Sequence, residues 1–193
     1  MMTDKTGVKD MTEKRETGIP GFTIRFATEK DVGLVLSFIR GIAEYEKMLD
    51  QVEATEAILH QSLFVDHQAE AVIGEYKGEP VGFALFYHHF STFVGHAGLY
   101  LEDLFVLPAM RGKGFGKCLL TFLANVAMER GCKRMEWQCL NWNTPSIAFY
   151  KSLGARSMDD WKVYRLSGES LAVAAAEYPG RLESSERREE FHA

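Results

Sequence analysis

A chain of 193 residues, 46% hydrophobic and 25% charged, has room for one domain with a sizeable core and an ordinary globular composition. Its net charge of −5 argues against generic nucleic-acid binding through a basic surface. No apolar run reaches membrane-spanning length. Neither nucleic acid nor membrane is therefore an expected partner. Cys118, Cys132 and Cys139 contain no C-x-x-C pair, so reduced thiols in a cytoplasmic protein are expected, with no zinc site and no disulfide framework.

Residues 1–20 are polar, lack periodicity and carry no apolar signal-peptide core; they read as a flexible N-terminal extension. The domain is expected over 21–176, followed by a polar tail over 177–193. Phe22-Thr23-Ile24-Arg25-Phe26 alternates as a half-buried strand does. Thr28 is placed to cap a helix with Glu29 and Asp31 in its first turn. Val32, Val35, Leu36, Ile39 and Ile42 follow at helical spacing as far as Tyr45-Glu46. Thr55 opens a second helix through Ile58, Leu59 and Leu63. Strands over 69–76 and 81–88 flank the hairpin turn Lys77-Gly78-Glu79-Pro80. A third strand, 98–106, is stopped by Pro108.

Residues 115–130 form a helix with Leu119, Leu120, Phe122, Leu123 and Val126 on one face and Gly131 as its C-cap. A strand is predicted over 133–140. Thr144-Pro145 reads as N-cap and N1 of a short helix, 146–153, that stops at Gly154. One or two further strands, including 161–166, and a terminal helix near 171–176 complete the domain. Three antiparallel strands and then helix–strand–helix–strand predict an α/β sandwich around one mixed sheet.

Residues 98–116 combine a strand, a basic glycine-rich loop and a helix N-terminus, an arrangement suited to an anion. A P-loop fails, because Cys118 follows Gly116-Lys117 and Arg111 holds the first glycine position. A Rossmann fingerprint fails at Lys117 and wants an early βαβ unit. R-x-x-G-x-G fits as Arg111, Gly114 and Gly116. On the glycines alone, a tight loop holding no ligand is an equal reading.

Arg111-Gly112-Lys113-Gly114-Phe115-Gly116 after a strand resembles the acetyl-CoA loop of the GNAT superfamily of N-acetyltransferases. The resemblance spans about residues 22–166. Glu44-Tyr45-Glu46, the strand segment Tyr100-Leu101-Glu102-Asp103-Leu104-Phe105-Val106, and Asn143-Thr144-Pro145-Ser146-Ile147-Ala148-Phe149-Tyr150 resemble the spermidine/spermine (diamine or thialysine) branch. It implies the GNAT fold, a mixed sheet of about six to seven strands with helices on both faces. It also implies direct acetyl transfer from acetyl-CoA, a cosubstrate, to a primary amine of a small cationic substrate in a ternary complex. That substrate would be a diamine, a polyamine or a lysine-like amino acid. A homodimer is implied too, with the strands around 161–166 exchanged or packed across the interface.

The resemblance puts Arg111, Gly112, Lys113, Gly114, Phe115, Gly116 and Lys117 on the coenzyme pyrophosphate. The backbone of Leu104, Phe105 and Val106 would run along the pantetheine arm like an added strand. Asn143 and Ser146 are candidate contacts to that arm, and Tyr150 is the candidate acid for the leaving thiolate. Glu102, a carboxylate inside an apolar strand, is the candidate base through water and an amine ligand. In a regular strand Asp103 faces the opposite way, so both could line one site only across a bulge; Asp103 is read as the structural partner of a base or backbone group. Tyr45, Glu46, Trp137, Gln138 and Asp160 are the remaining amine-binding candidates. His88 and His89 face opposite ways and suggest no chelate. The competing readings are a non-catalytic acyl-CoA-binding module and a protein lysine or N-terminal acetyltransferase.

Overall fold

The computed structural model describes residues 13–180. The chain divides into two compact units, Met1–Leu140 and Asn141–Ala193. Most of the expected extension, and residues 181–193 of the expected tail, lie outside the described residues.

The first unit is a six-stranded sheet in sequence order. Its strands are β1 Arg15–Glu16, β2 Phe22–Phe26, β3 Glu70–Tyr76, β4 Glu79–Ser91, β5 His96–Val106 and β6 Met135–Trp137. Neighbours from β1 to β5 are antiparallel, and β6 runs parallel to β5. On one face, α1 (Val32–Glu46) and α2 (Glu56–His60), with the π-helical turn Gln61–Val65 after it, cover Ile73, Phe83, Leu85 and Phe105. On the other, α3 (Phe115–Glu129) buries Leu119, Leu120, Leu123 and Val126. Phe115 stacks on Phe22 with centroids 4.2 Å apart, and Phe122 meets Phe26 edge-on. The mixed sheet with helices on both faces is the α/β fold class that the motifs imply.

A buried ion network fixes the entry to α1. Arg25, nominally an outward residue of β2, sends two nitrogens to Asp31, at 2.7 and 2.8 Å, and a third to Glu75 at 2.8 Å. Asp31 also accepts from the N–H and hydroxyl of Thr28. The Arg25 guanidinium, helped by those Thr28 bonds, holds the Asp31 carboxyl down at about 2 despite its burial. Asp31 is thus a buried anchor closing the 3-10 turn Glu29–Asp31, not a first-turn residue of the helix that follows.

Several boundaries differ from the sequence reading. Arg15 and Glu16, inside the expected extension, pair with Ile24 and Thr23. The strand predicted over 133–140 shrinks to β6. In the second unit, α4 (Thr144–Ser152) is capped by Asn143, whose side chain accepts from Ser146 N–H, so Thr144 and Pro145 are already helical. The strand predicted over 161–166 is irregular chain without ladder partners among the described residues. Trp161, Val163, Tyr164 and Leu166 there are all exposed. The last helix is α5, Gly168–Ala176. No described helix is long and apolar enough to cross a membrane.

Candidate active site

The site begins with a fault in β5. Leu85 pairs with Asp103 and the next residue, Phe86, pairs with Leu101, so Glu102 is the extra residue of a β-bulge. The fault lets consecutive acids escape strict alternation, the condition the sequence reading set for both to line one site. Glu102 is exposed and Asp103 half-buried. Burial pushes the Asp103 carboxyl up to about 6, and the charges of Glu102 and then Glu46 add to the rise. Glu46, at the end of α1, is raised by burial. No described Lys, Arg or His pairs with any of the three. Of the two partners the sequence reading offered Asp103, a base or a backbone group, no base pairs with it among the described residues.

Aromatic rings border the acids. Tyr87 and Tyr100 lie across the β4–β5 ladder with centroids 5.0 Å apart. Burial and then the Glu102 charge raise both phenols. Gln138 lies close enough to the Tyr100 phenol to offset part of that rise, and so joins the group. Glu136, which pairs with Tyr100, lies 3.0 Å from His89 Nε2 and 2.9 Å from Arg134 Nε. Trp137, the last residue of β6, is half-buried and pairs with Leu101. Cys139 lies close enough to Glu46 to feel its charge, which adds to a rise caused chiefly by burial. Sequence reasoning missed Tyr87, Tyr100 and Asp103 as members of this group; only strand pairing reveals them.

Beyond the acids β5 has a free edge. β6 pairs only with Leu99, Tyr100 and Leu101, so no described strand flanks residues 102–106 on that side. The loop after β5 closes the end of this edge. Pro108–Met110 forms a 3-10 turn; Gly112 (φ 77°) and Gly114 (φ 85°) then adopt left-handed backbone, and Gly114 caps α3. Glycine is what that conformation favours. A Cβ at Gly112 would meet nothing within 4 Å. The first-turn N–H groups of α3 face a cradle without a capping side chain, which suits a pyrophosphate. Arg111 turns back: its Nε donates to Val106 O at 3.1 Å and its guanidinium covers the Tyr45 ring at 4.6 Å and the Phe105 ring at 5.7 Å. It thus ties the loop to the end of α1. Lys113 Nζ lies 3.2 Å from Met110 Sδ and 5.6 Å from the Tyr76 ring centroid.

The second unit carries the remaining candidates. Asn143, Ser146 and Tyr150 sit on or cap α4, where the Tyr150 ring lies 5.3 Å from Phe149. Asp160 is exposed in a turn before residues 161–166. Among the described residues no group of three or more metal-ligating side chains occurs.

Residues 38–155 match the acetyltransferase (GNAT) family. The chain is 38% identical to thialysine N-epsilon-acetyltransferase of Sus scrofa over 164 residues, spanning 79% of this chain and 96% of that protein. It is 29% identical to L-ornithine N5-acetyltransferase of Arabidopsis thaliana, spanning 77% and 85%. The solved structure of an integron cassette protein from the mobile metagenome of V. cholerae superposes with a TM-score of 0.68 at 28% identity, over 80% and 98%. The chain belongs to the GNAT family and is an acetyltransferase. Its similarity to the thialysine enzyme agrees with the branch that its motifs resemble.

Proposed function

We propose that the protein transfers the acetyl group of acetyl-CoA directly to a primary amine of a small cationic substrate: a diamine, a polyamine or a lysine-like amino acid. The observation that carries this reading is the unpaired acidic group Glu46, Glu102 and Asp103 beside the free edge of β5. Glu46 and Asp103, half-buried beside Glu102 and without a described counter-ion, are costly to ionise unless a cation arrives to meet them. The similarity to enzymes named for thialysine and ornithine points to the same substrate chemistry.

In this reading the N–H groups of residues 112–117 hold the coenzyme pyrophosphate, and Leu104, Phe105 and Val106 guide the pantetheine arm. One carboxylate, Glu102 through water or Asp103, takes the proton of the bound ammonium. The amine nitrogen then bonds to the acetyl carbon, the carbon–sulfur bond breaks, and the Tyr150 hydroxyl protonates the departing thiolate; the second proton that the nitrogen sheds as the amide forms returns through water to the phenolate. The other acids, with Tyr45, Gln138 and Asp160, hold the second positive end of the substrate; Trp137 contributes a wall. A cytoplasmic homodimer is part of the same reading, since the described cysteines are free thiols and the exposed apolar segment 161–166 wants a partner.

The test is thiol release from acetyl-CoA with a panel of diamines, polyamines and lysine analogues. Turnover with at least one of them is the expected result. Tight acetyl-CoA binding without amine turnover would favour a binding module. Acetylation of peptides alone would favour a protein acetyltransferase.

A further inference from the structure

Residues 13–20 precede everything the activity requires, yet they are packed against α3. Arg15, Thr17 and Ile19 are half-buried, while Lys14, Glu16 and Gly18 are exposed, so alternate residues are covered. The covered residues meet α3 in order. The Arg15 guanidinium lies 5.4 Å from the Phe122 ring centroid, and its Nη1 is 3.7 Å from Glu129 Oε2. Thr17 lies beside the Cys118 thiol, close enough to counter part of the rise that burial gives it. Ile19 Cδ1 lies 3.4 Å from where a Cβ on Gly114 would stand. Positions 114, 118, 122 and 129 form one stripe of a helix. After the strand residues Arg15 and Glu16 the chain bends at Gly18 and Ile19, and the contacts run in reverse order along the helix toward its N-terminus.

The segment is itself fixed at both ends. Lys14 forms an ion pair with the buried Glu75. The Thr17 hydroxyl donates to Phe22 O at 2.6 Å and accepts from Ile19 N–H at 3.2 Å, and Phe22 N–H donates to Ile19 O at 3.0 Å. What it supports needs support. The loop has glycine at 112, 114 and 116, and Gly114 offers no side chain to cap the helix. Such a sequence lets a ligand approach but leaves the N–H directions poorly fixed, and fixing them on binding costs affinity.

We propose that residues 15–19 form a strap that positions the N-terminus of α3 and its glycine loop for the coenzyme, with Thr17 and Ile19 as the positioning residues. The proposal rests on the reading of residues 111–117 as the coenzyme cradle. Neither residue touches the cradle's anion side; both act through Gly114 and Cys118.

The test uses the full chain with Ile19→Ala, Thr17→Val and the conservative Thr17→Ser. Amide hydrogen exchange at residues 112–117 is followed without coenzyme, and acetyl-CoA affinity by calorimetry. Steady-state kinetics then separate the KM for acetyl-CoA from the KM for the amine. Ile19→Ala and Thr17→Val should speed exchange across the loop and weaken acetyl-CoA about 3- to 10-fold. The amine KM should stay within about twofold, and Thr17→Ser should restore wild-type values. Loop exchange and coenzyme affinity unchanged, in variants whose residues 13–20 exchange faster, would overturn the strap. Failure of the wild type to bind acetyl-CoA is the separate outcome that removes the coenzyme reading, and the proposal with it.

Discussion

Asp103 carries two opposed consequences at the scale of one residue. Its carboxyl is raised to about 6, so the folded chain holds that proton more tightly than the unfolded chain does. The stabilisation this gives is complete below the usual 3.8, falls as pH rises, and is gone above about 6. Asp103→Asn should therefore stabilise the fold at pH 7 to 8 by about 1–2 kcal/mol in thermal unfolding, with no gain at pH 4. The same variant should lose amine kcat/KM about 10-fold or more, since it removes a charge that meets the substrate. In the wild type, kcat/KM for the amine should fall as pH drops through about 6, a limb that Asp103→Asn should remove. Tyr150→Phe should lower kcat about 100-fold with little change in coenzyme affinity; an unchanged kcat would remove the general-acid role. Glu102 was legible in the sequence as a carboxylate in an apolar run. Asp103 was not, because the bulge is set by pairing with Leu85 and Phe86, and Leu101-Glu102-Asp103-Leu104 holds no glycine or proline to announce it.

Among the elements, the junction of β2 with α1 is the clearest test of buried charge. Arg25→Met would leave Asp31 and Glu75 buried beside an apolar side chain, at a cost of about 3–5 kcal/mol in chemical unfolding. Asp31 is held down at about 2, so its contribution is present above the usual 3.8 and is lost as pH falls through that window. Acid sensitivity between pH 4 and 2 should be smaller in Arg25→Met than in the wild type. The long elements were legible because their signal is local: the apolar stripe of α3 and the turn between β3 and β4 lie within one stretch of chain. The short ones were not. β1 is two residues of an apparently featureless segment, defined by pairing with β2. Residues 161–166 alternate as a strand does, but alternation supplies a face, and a ladder needs a neighbour that the described chain does not provide.

For the whole molecule, the order of the motifs along the chain sufficed to read the fold, because strand, glycine loop and helix occur in the order in which the sheet uses them. Oligomeric state depends on surfaces that the sequence does not rank. Trp161 is 71% exposed and Tyr164 88%, a patch that the proposed dimer would bury. Sedimentation or light scattering should give twice the 21.8 kDa chain mass, and Trp161→Glu with Tyr164→Glu should shift it toward one. A wild-type monomer would contradict the dimer. In the proposed function Glu46, Glu102 and Asp103 select a substrate with two positive ends, and charge selectivity tests this most directly. With acetyl-CoA fixed, kcat/KM is compared for a diamine or lysine analogue and for a monoamine of equal length, in the wild type and in Glu46→Gln with Asp103→Asn. The wild type should prefer the doubly charged amine by about 10-fold or more, and the double variant should lose most of that preference. Equal use of both amines by the wild type, or a preference untouched by the substitutions, would contradict the account.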